Sequence, residues 1–137
     1  MSAPDVIEAF YAAYNRADAS AATALHAPDA VHEEAASGKS RQGLAAIEQG
    51  TAGFLSMLEG LRLAPATRIT AGPKVVVTYV MTGRMTRPIG PFEAHGQVIT
   101  LEGAHVFHLE DGKIRKLTDY WSPEAFMAQI RAEHASA

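Results

Sequence analysis

HGQVITLEGAHVFHLEDGKIRKLTDYW, residues 95–121, reads as two long strands and the tight turn between them. Asp111-Gly112 sits inside the turn Glu110–Lys113 and supplies the positive φ that a two-residue hairpin connection requires. His95 to Leu109 is then the outgoing strand and Lys113 to Trp121 the returning one. Side chains two apart point to the same side of a strand, so Leu101, Gly103, His105, Phe107 and Leu109 share one face. Leu117, Asp119 and Trp121 share a face of the return strand. Both faces are mostly apolar, as an interior wall should be, yet each carries one ionisable group. The two groups lie 14 positions apart, a separation that spans strand, turn and return strand. Pairing across the turn brings His105 and Asp119 close together on one sheet face.

Upstream of this hairpin the period changes from alternating to helical. Lys74 to Thr86 is a further long strand, with Val75, Val77, Tyr79 and Met81 on one side. Arg87 to Ala94, holding two prolines and a glycine, is a loop. Arg62 to Ala71 is a weaker strand that turns at Gly72-Pro73. Before it, Ile47, Thr51, Phe54, Leu58 and Leu61 step by four and three residues, the stripe of one continuous helix. Ser37 to Gly43 is a polar loop, Ala30 to Ala36 a short strand, and His26-Ala-Pro-Asp29 a turn. A short helix is expected over about Ala19 to Leu25. The first helix runs from about Asp5 to Arg16, with Ile7, Phe10 and Tyr14 at helical spacing. After the hairpin, Ser122-Pro123-Glu124 opens a last helix through about Arg131. Helices first and antiparallel strands later make an α+β domain in which helices cover one face of the sheet. A sheet curved around a long helix leaves a hollow between them, a natural small-molecule site.

Bulk composition narrows the partners. A chain of 137 residues is one domain on length alone, and 47% hydrophobic against 20% charged residues is the balance of a packed protein. With a net charge of −3 and no basic run, nucleic acid is not an expected partner. The absence of cysteine rules out disulfides, a thiol nucleophile and zinc–thiolate sites. No apolar run approaches the roughly 20 residues of a membrane span, and the first residues lack the pattern of a signal peptide. A cytoplasmic protein with no membrane partner is therefore expected.

Several segments in order carry a family likeness. They are Ala9-Phe-Tyr-Ala-Ala-Tyr-Asn-Arg-Ala-Asp18, Ala27-Pro-Asp-Ala-Val31, Gly43-Leu-Ala-Ala-Ile47, Gly96-Gln-Val98, Glu110-Asp-Gly-Lys-Ile114, and Tyr120-Trp121 leading into Gln129-Ile130. Their order and spacing over nearly the whole chain resemble the SnoaL-like polyketide cyclases and their relatives, the ketosteroid isomerases. The resemblance implies a single SnoaL-like domain over residues 1–137 with the nuclear-transport-factor-2-like (cystatin-like) fold. In that fold a cone-shaped, curved, antiparallel or mixed sheet wraps around a long helix. It also implies ring closure by intramolecular aldol condensation, with an aspartate on the last strand, a histidine on the strand before it, and no metal or cofactor. Asp119 and His105 occupy those two places. A carboxylate set among apolar neighbours can remove an acidic C–H proton and return a proton to the new alkoxide. The imidazole can hydrogen-bond the enolate oxygen as charge develops.

Glu34 is a second candidate base, since it falls where the isomerases carry their general-base aspartate. His32 shares its face. The tyrosine that those isomerases carry on the first helix matches Phe10, which lacks the needed hydroxyl, and Tyr14 lies one turn on. His32 and Glu34, with His105, have acceptable spacing for a metal but match no metal motif, and none is expected. The expected substrate is a small, apolar, carbonyl-containing molecule, with Glu34, His32, Tyr14, Trp121, Phe107 and Leu117 lining its pocket. The alternatives are a ketosteroid-isomerase-like isomerase and a non-catalytic small-molecule-binding or protein-interaction module of the same fold. Apolar residues such as Val76 and Val80 on the outer sheet face invite a second copy, so a homodimer through that face is expected.

Overall fold

In the computed structural model, which describes residues 5–131, Asp5 caps the first helix by accepting from the backbone N–H groups of Ile7 and Glu8. This helix, α1 (Val6–Asn15), buries Ile7, Phe10, Tyr11, Ala13 and Tyr14 along one side. The short α2 (Ala19–Thr23) follows under an Asp18 cap. Then come β1 (His26–Glu34), β2 (Ser40–Gln42), α3 (Leu44–Leu55), β3 (Glu59–Ala71), β4 (Lys74–Arg84), β5 (Val98–Glu110), β6 (Lys113–Tyr120) and α4 (Pro123–Ile130).

The strands form one six-stranded sheet in the order β2-β1-β6-β5-β4-β3. Neighbours are antiparallel except β1 and β6, which run parallel, so the sheet is mixed. The helices lie on its inner side, and the core between the layers holds Phe10, Ile47, Leu63, Val77, Ile99 and Phe107. Side-chain amides help fasten this arrangement. Asn15, at the end of α1, donates to the carbonyl of Leu63 (2.9 Å) and accepts from its N–H (2.8 Å), which docks the helix on β3. Gln97, fully buried, donates to Glu93 and to Ile130, tying the loop before β5 to the end of α4.

The β5–β6 hairpin turns through Asp111 (φ 52°) and Gly112 (φ 76°), the left-handed pair that its sequence requires. Elsewhere the chain departs from the simple periodic reading. The stripe Ile47 to Leu61 is not one helix: α3 stops at Leu55. Gly60 takes a left-handed φ of 65°, and β3 has already begun at Glu59. Leu58 is still buried, packed over Gly83 of β4, so the apolar stripe continues into the core on a different backbone. The turn expected at His26–Asp29 is instead the first part of β1, which carries an irregularity there. The polar loop 37–43 contains the short edge strand β2. Finally, β5 begins at Val98 rather than His95, because Gly96 just before it takes a left-handed φ of 74° that breaks the extended run.

Candidate active site

Two glycine-permitted approaches and one row of paired residues shape the site. Glu34 on β1, Asp119 on β6 and His105 on β5 are direct register partners, so three strands present three polar side chains in line. They face a cavity of about 540 Å³ between the sheet and the helices. Asp119, His105, Glu34 and His32 line it from the sheet, and Leu117 adds an apolar wall. Tyr14 reaches it from α1, and Trp121 from the segment before α4. Phe107 does not: it is fully buried beneath the wall, edge-on to Phe10 at 5.1 Å. Its place in the alternation is as expected, but the ring of Phe10 packs against it, so it supports the wall from beneath and does not line the cavity.

His105 is buried at 3% exposure, and its Nε2 stands 3.5 Å from Asp119 Oδ1. That is ion-pair range but longer than a well-formed hydrogen bond. Two tyrosines complete the cluster. Tyr11 from α1 holds His105 Nδ1 at 2.7 Å, and Tyr79 from β4 donates to Asp119 Oδ1, also at 2.7 Å. The Tyr79 ring stacks on the imidazole with centroids 4.5 Å apart. The Asp119 carboxylate can only accept, so the His105 proton sits on Nε2, facing Asp119 and the cavity, and the Tyr11 hydroxyl is the donor to Nδ1. Burial first, and then the nearby Asp119 charge, pushes both phenols well above their ordinary range, so they remain protonated donors. Burial also pushes Tyr14 up to about 12, against a hydrogen bond with Thr51 that works the other way. Among the described residues, Asp119 Oδ2 has no hydrogen-bond partner, which leaves it free for a ligand.

Neither Tyr11 nor Tyr79 stands out in the sequence as a polar group of the site. Tyr79 sits in the run Val75, Val77, Tyr79, Met81 and passes for core. One signal does point to it. A glycine inside a strand often marks a close approach, and Gly103 is the register partner of Tyr79. A methyl group built on Gly103 would lie 2.5 Å from Tyr79 Cζ and 2.9 Å from the Tyr120 carbonyl oxygen. The bare glycine is what lets the tyrosine lie across β5 and reach Asp119. The second such approach is at the mouth, where Arg41 of β2 lies over Gly50 of α3, within 2.6 Å of where a Cβ would stand. Tyr11 carries no comparable signal, since its helical position is also that of a core residue.

The arrangement of a mixed curved sheet, an inner helix and an enclosed polar cluster defines an α+β fold with a small-molecule cavity. The chain belongs to the SnoaL-like domain family, whose sequence profile matches residues 7–117. No curated protein sequence matches it. Among solved structures, a candidate polyketide cyclase from Xanthomonas campestris pv. campestris is 26% identical, with a TM-score of 0.82 over 91% of this chain and 93% of that one. TerC, crystallised with polyporic acid, is 26% identical with a TM-score of 0.77, covering 93% and 96%. A hypothetical protein from Catenulispora acidiphila with a ketosteroid isomerase-like fold, in complex with trimethylamine, is 21% identical with a TM-score of 0.80 over 93% of each chain. This chain therefore has the ketosteroid isomerase-like, nuclear-transport-factor-2-like fold. Its neighbours include candidate cyclases and proteins that hold small molecules.

Proposed function

We propose that this single SnoaL-like domain is a cofactor-independent enzyme that abstracts a proton next to a carbonyl and closes a ring by intramolecular aldol addition. The observation that carries this reading is the register pair His105–Asp119, turned into one cavity and held there by Tyr11 and Tyr79. Asp119 Oδ2 takes the C–H proton, leaving an enolate. The Nε2–H of His105 is only loosely held at 3.5 Å and can donate to the enolate oxygen. The enolate carbon attacks a second carbonyl of the same molecule, forming the C–C bond. The Asp119 carboxyl then returns its proton to the new alkoxide, so the step is redox-neutral and regenerates the base. Tyr79 anchors Oδ1 throughout, which fixes the geometry of Oδ2.

Glu34 stands beside Asp119 in the row and is the second acid/base position. Asp119 is the main base in this reading because it alone of the two is gripped by a buried donor. Phe10, fully buried and without a hydroxyl, favours cyclisation over steroid isomerisation. The neighbour TerC was crystallised with polyporic acid, which supports a small organic molecule as the class of ligand here. The test is deuterium incorporation next to the carbonyl of aryl β-diketones, followed by NMR. Asp119→Asn keeps the shape and removes the base, and its exchange rate should fall at least about a hundredfold. Unchanged exchange in that variant would reject the role of Asp119.

The outer sheet face supports a homodimer in the same proposal. Ile69 is 60% exposed and Tyr120 49%, and Val76, Val80 and Val106 lie on that side only partly covered. A single 14.6 kDa species in sedimentation at micromolar concentration would contradict it. No described helix is long and apolar enough to cross a membrane.

A further inference from the structure

His26 and His32 are six residues apart on one strand, a span of about 20 Å if β1 were straight. Their Nε2 atoms are nevertheless 2.6 Å apart. The irregularity in β1 explains this. From His26 to Val31 the strand advances five residues, while its partner β6 advances only from Ile114 to Lys116. The surplus residues, Pro28 among them, are taken up in this irregularity, which shortens the strand and brings the two imidazoles together. His26 is 3% exposed, and its Nδ1 is 2.9 Å from the carbonyl oxygen of Ala22. A carbonyl can only accept, so Nδ1 of His26 carries the proton. Burial opposes the cationic form of both rings, and His26, His105 and Arg41 repel a charge on His32 while Asp119 alone favours it. With both rings neutral, Nε2 of His26 is a bare acceptor, and Nε2–H of His32 donates to it.

The chain of bonds therefore fixes the far end. Nδ1 of His32 carries a lone pair and no proton. It has no hydrogen-bond partner among the described residues, and no buried side-chain nitrogen or oxygen among them lacks one, so Nδ1 is not buried. His32 lines the cavity. We propose that His26 is a positioning residue that locks His32 as a neutral acceptor aimed into the cavity, and that the ligand places a hydroxyl donor, phenolic or enolic, against His32 Nδ1. This rests on the reading of the cavity as a small-molecule site and adds a specificity element beside the His105–Asp119 pair. A carbonyl or ether oxygen at that spot would face a lone pair and be rejected.

Two measurements test this, and neither needs turnover. Long-range ¹⁵N–¹H correlation of the wild-type imidazoles should show protonated Nε2 and bare Nδ1 in His32, with the reverse in His26. A protonated Nδ1 in His32 overturns the proposal. For binding, 2-hydroxyanthraquinone, 2-methoxyanthraquinone and anthraquinone are titrated against the fluorescence of Trp121, the single tryptophan, which lines the cavity. The hydroxy compound should bind about five- to tenfold tighter than the methoxy compound. His32→Phe should erase that preference, and His26→Phe should weaken it by releasing the tautomer. Equal binding of the two overturns the donor assignment while leaving the cavity reading intact. Failure of all three to bind would sink the cavity reading itself.

Discussion

Replacing Gly103 by alanine should loosen the Tyr79–His105–Asp119 cluster without touching any polar group in it. The added methyl would stand 2.5 Å from Tyr79 Cζ, still closer to the tyrosine hydroxyl, and 2.9 Å from the Tyr120 carbonyl oxygen. Contacts under 3.0 Å force something to move. The carbonyl belongs to β6 and is held by the sheet, so the Tyr79 ring must yield. That ring is 5% exposed and stacked on His105, so it has little room. Overpacking of this kind costs about 1–3 kcal/mol. Loss of the Tyr79–Asp119 hydrogen bond, one to a charged acceptor, costs about 1.5–3 kcal/mol more. The two overlap, because the same ring movement causes both, so we expect about 2–4 kcal/mol in urea denaturation and a melting temperature lower by about 10 °C. Tyr79→Leu removes the ring atoms that the methyl would strike. In that background Gly103→Ala should cost less than half as much, a coupling a double-mutant cycle detects. Wild-type stability in Gly103→Ala, or strict additivity with Tyr79→Leu, would refute the account.

Acid should destabilise the fold through the histidine pair. Burial holds His32 down to about 3 from its ordinary 6.5, and shifts His26 in the same direction. The unfolded chain therefore binds more protons than the folded one between those values, and stability falls as pH drops below about 6.5. From pH 7 to pH 5 the His32 contribution alone amounts to about 2 kcal/mol, and His32→Phe should flatten the profile by that amount. Urea midpoints at pH 7, 6 and 5 check this, and a wild-type profile flat across that range would contradict it. Asn15→Ala removes both hydrogen bonds that dock α1 on β3 and leaves the Leu63 N–H and carbonyl to find water. It should cost about 1–3 kcal/mol by thermal melting, whereas a change of a few tenths would show that packing alone holds the helix.

The parts of the site that rest on local rules were readable. Alternation and an Asp-Gly turn place His105 opposite Asp119, and the register has them as partners. Alternation also placed Phe107 on that face correctly, but whether a side chain meets solvent or another ring depends on the opposing layer, here Phe10 of α1. The helical stripe from Ile47 to Leu61 named buried residues rightly at Leu58 and misjudged the backbone, because burial is blind to the conformation that delivers it. Pro28 and Asp29 gave a turn signal that the structure uses as an irregularity within β1.

Composition, periodicity and turn chemistry by themselves determined an α+β chain with a long hairpin and a histidine and a carboxylate on its inner face. Each of these follows from residues near one another in sequence, where the geometry of a strand or turn is nearly fixed. Tertiary packing alone decided that Tyr11 and Tyr79 grip that pair, and that His26 meets His32. Those contacts join separate elements, or cross an irregular strand, over distances that no sequence period encodes.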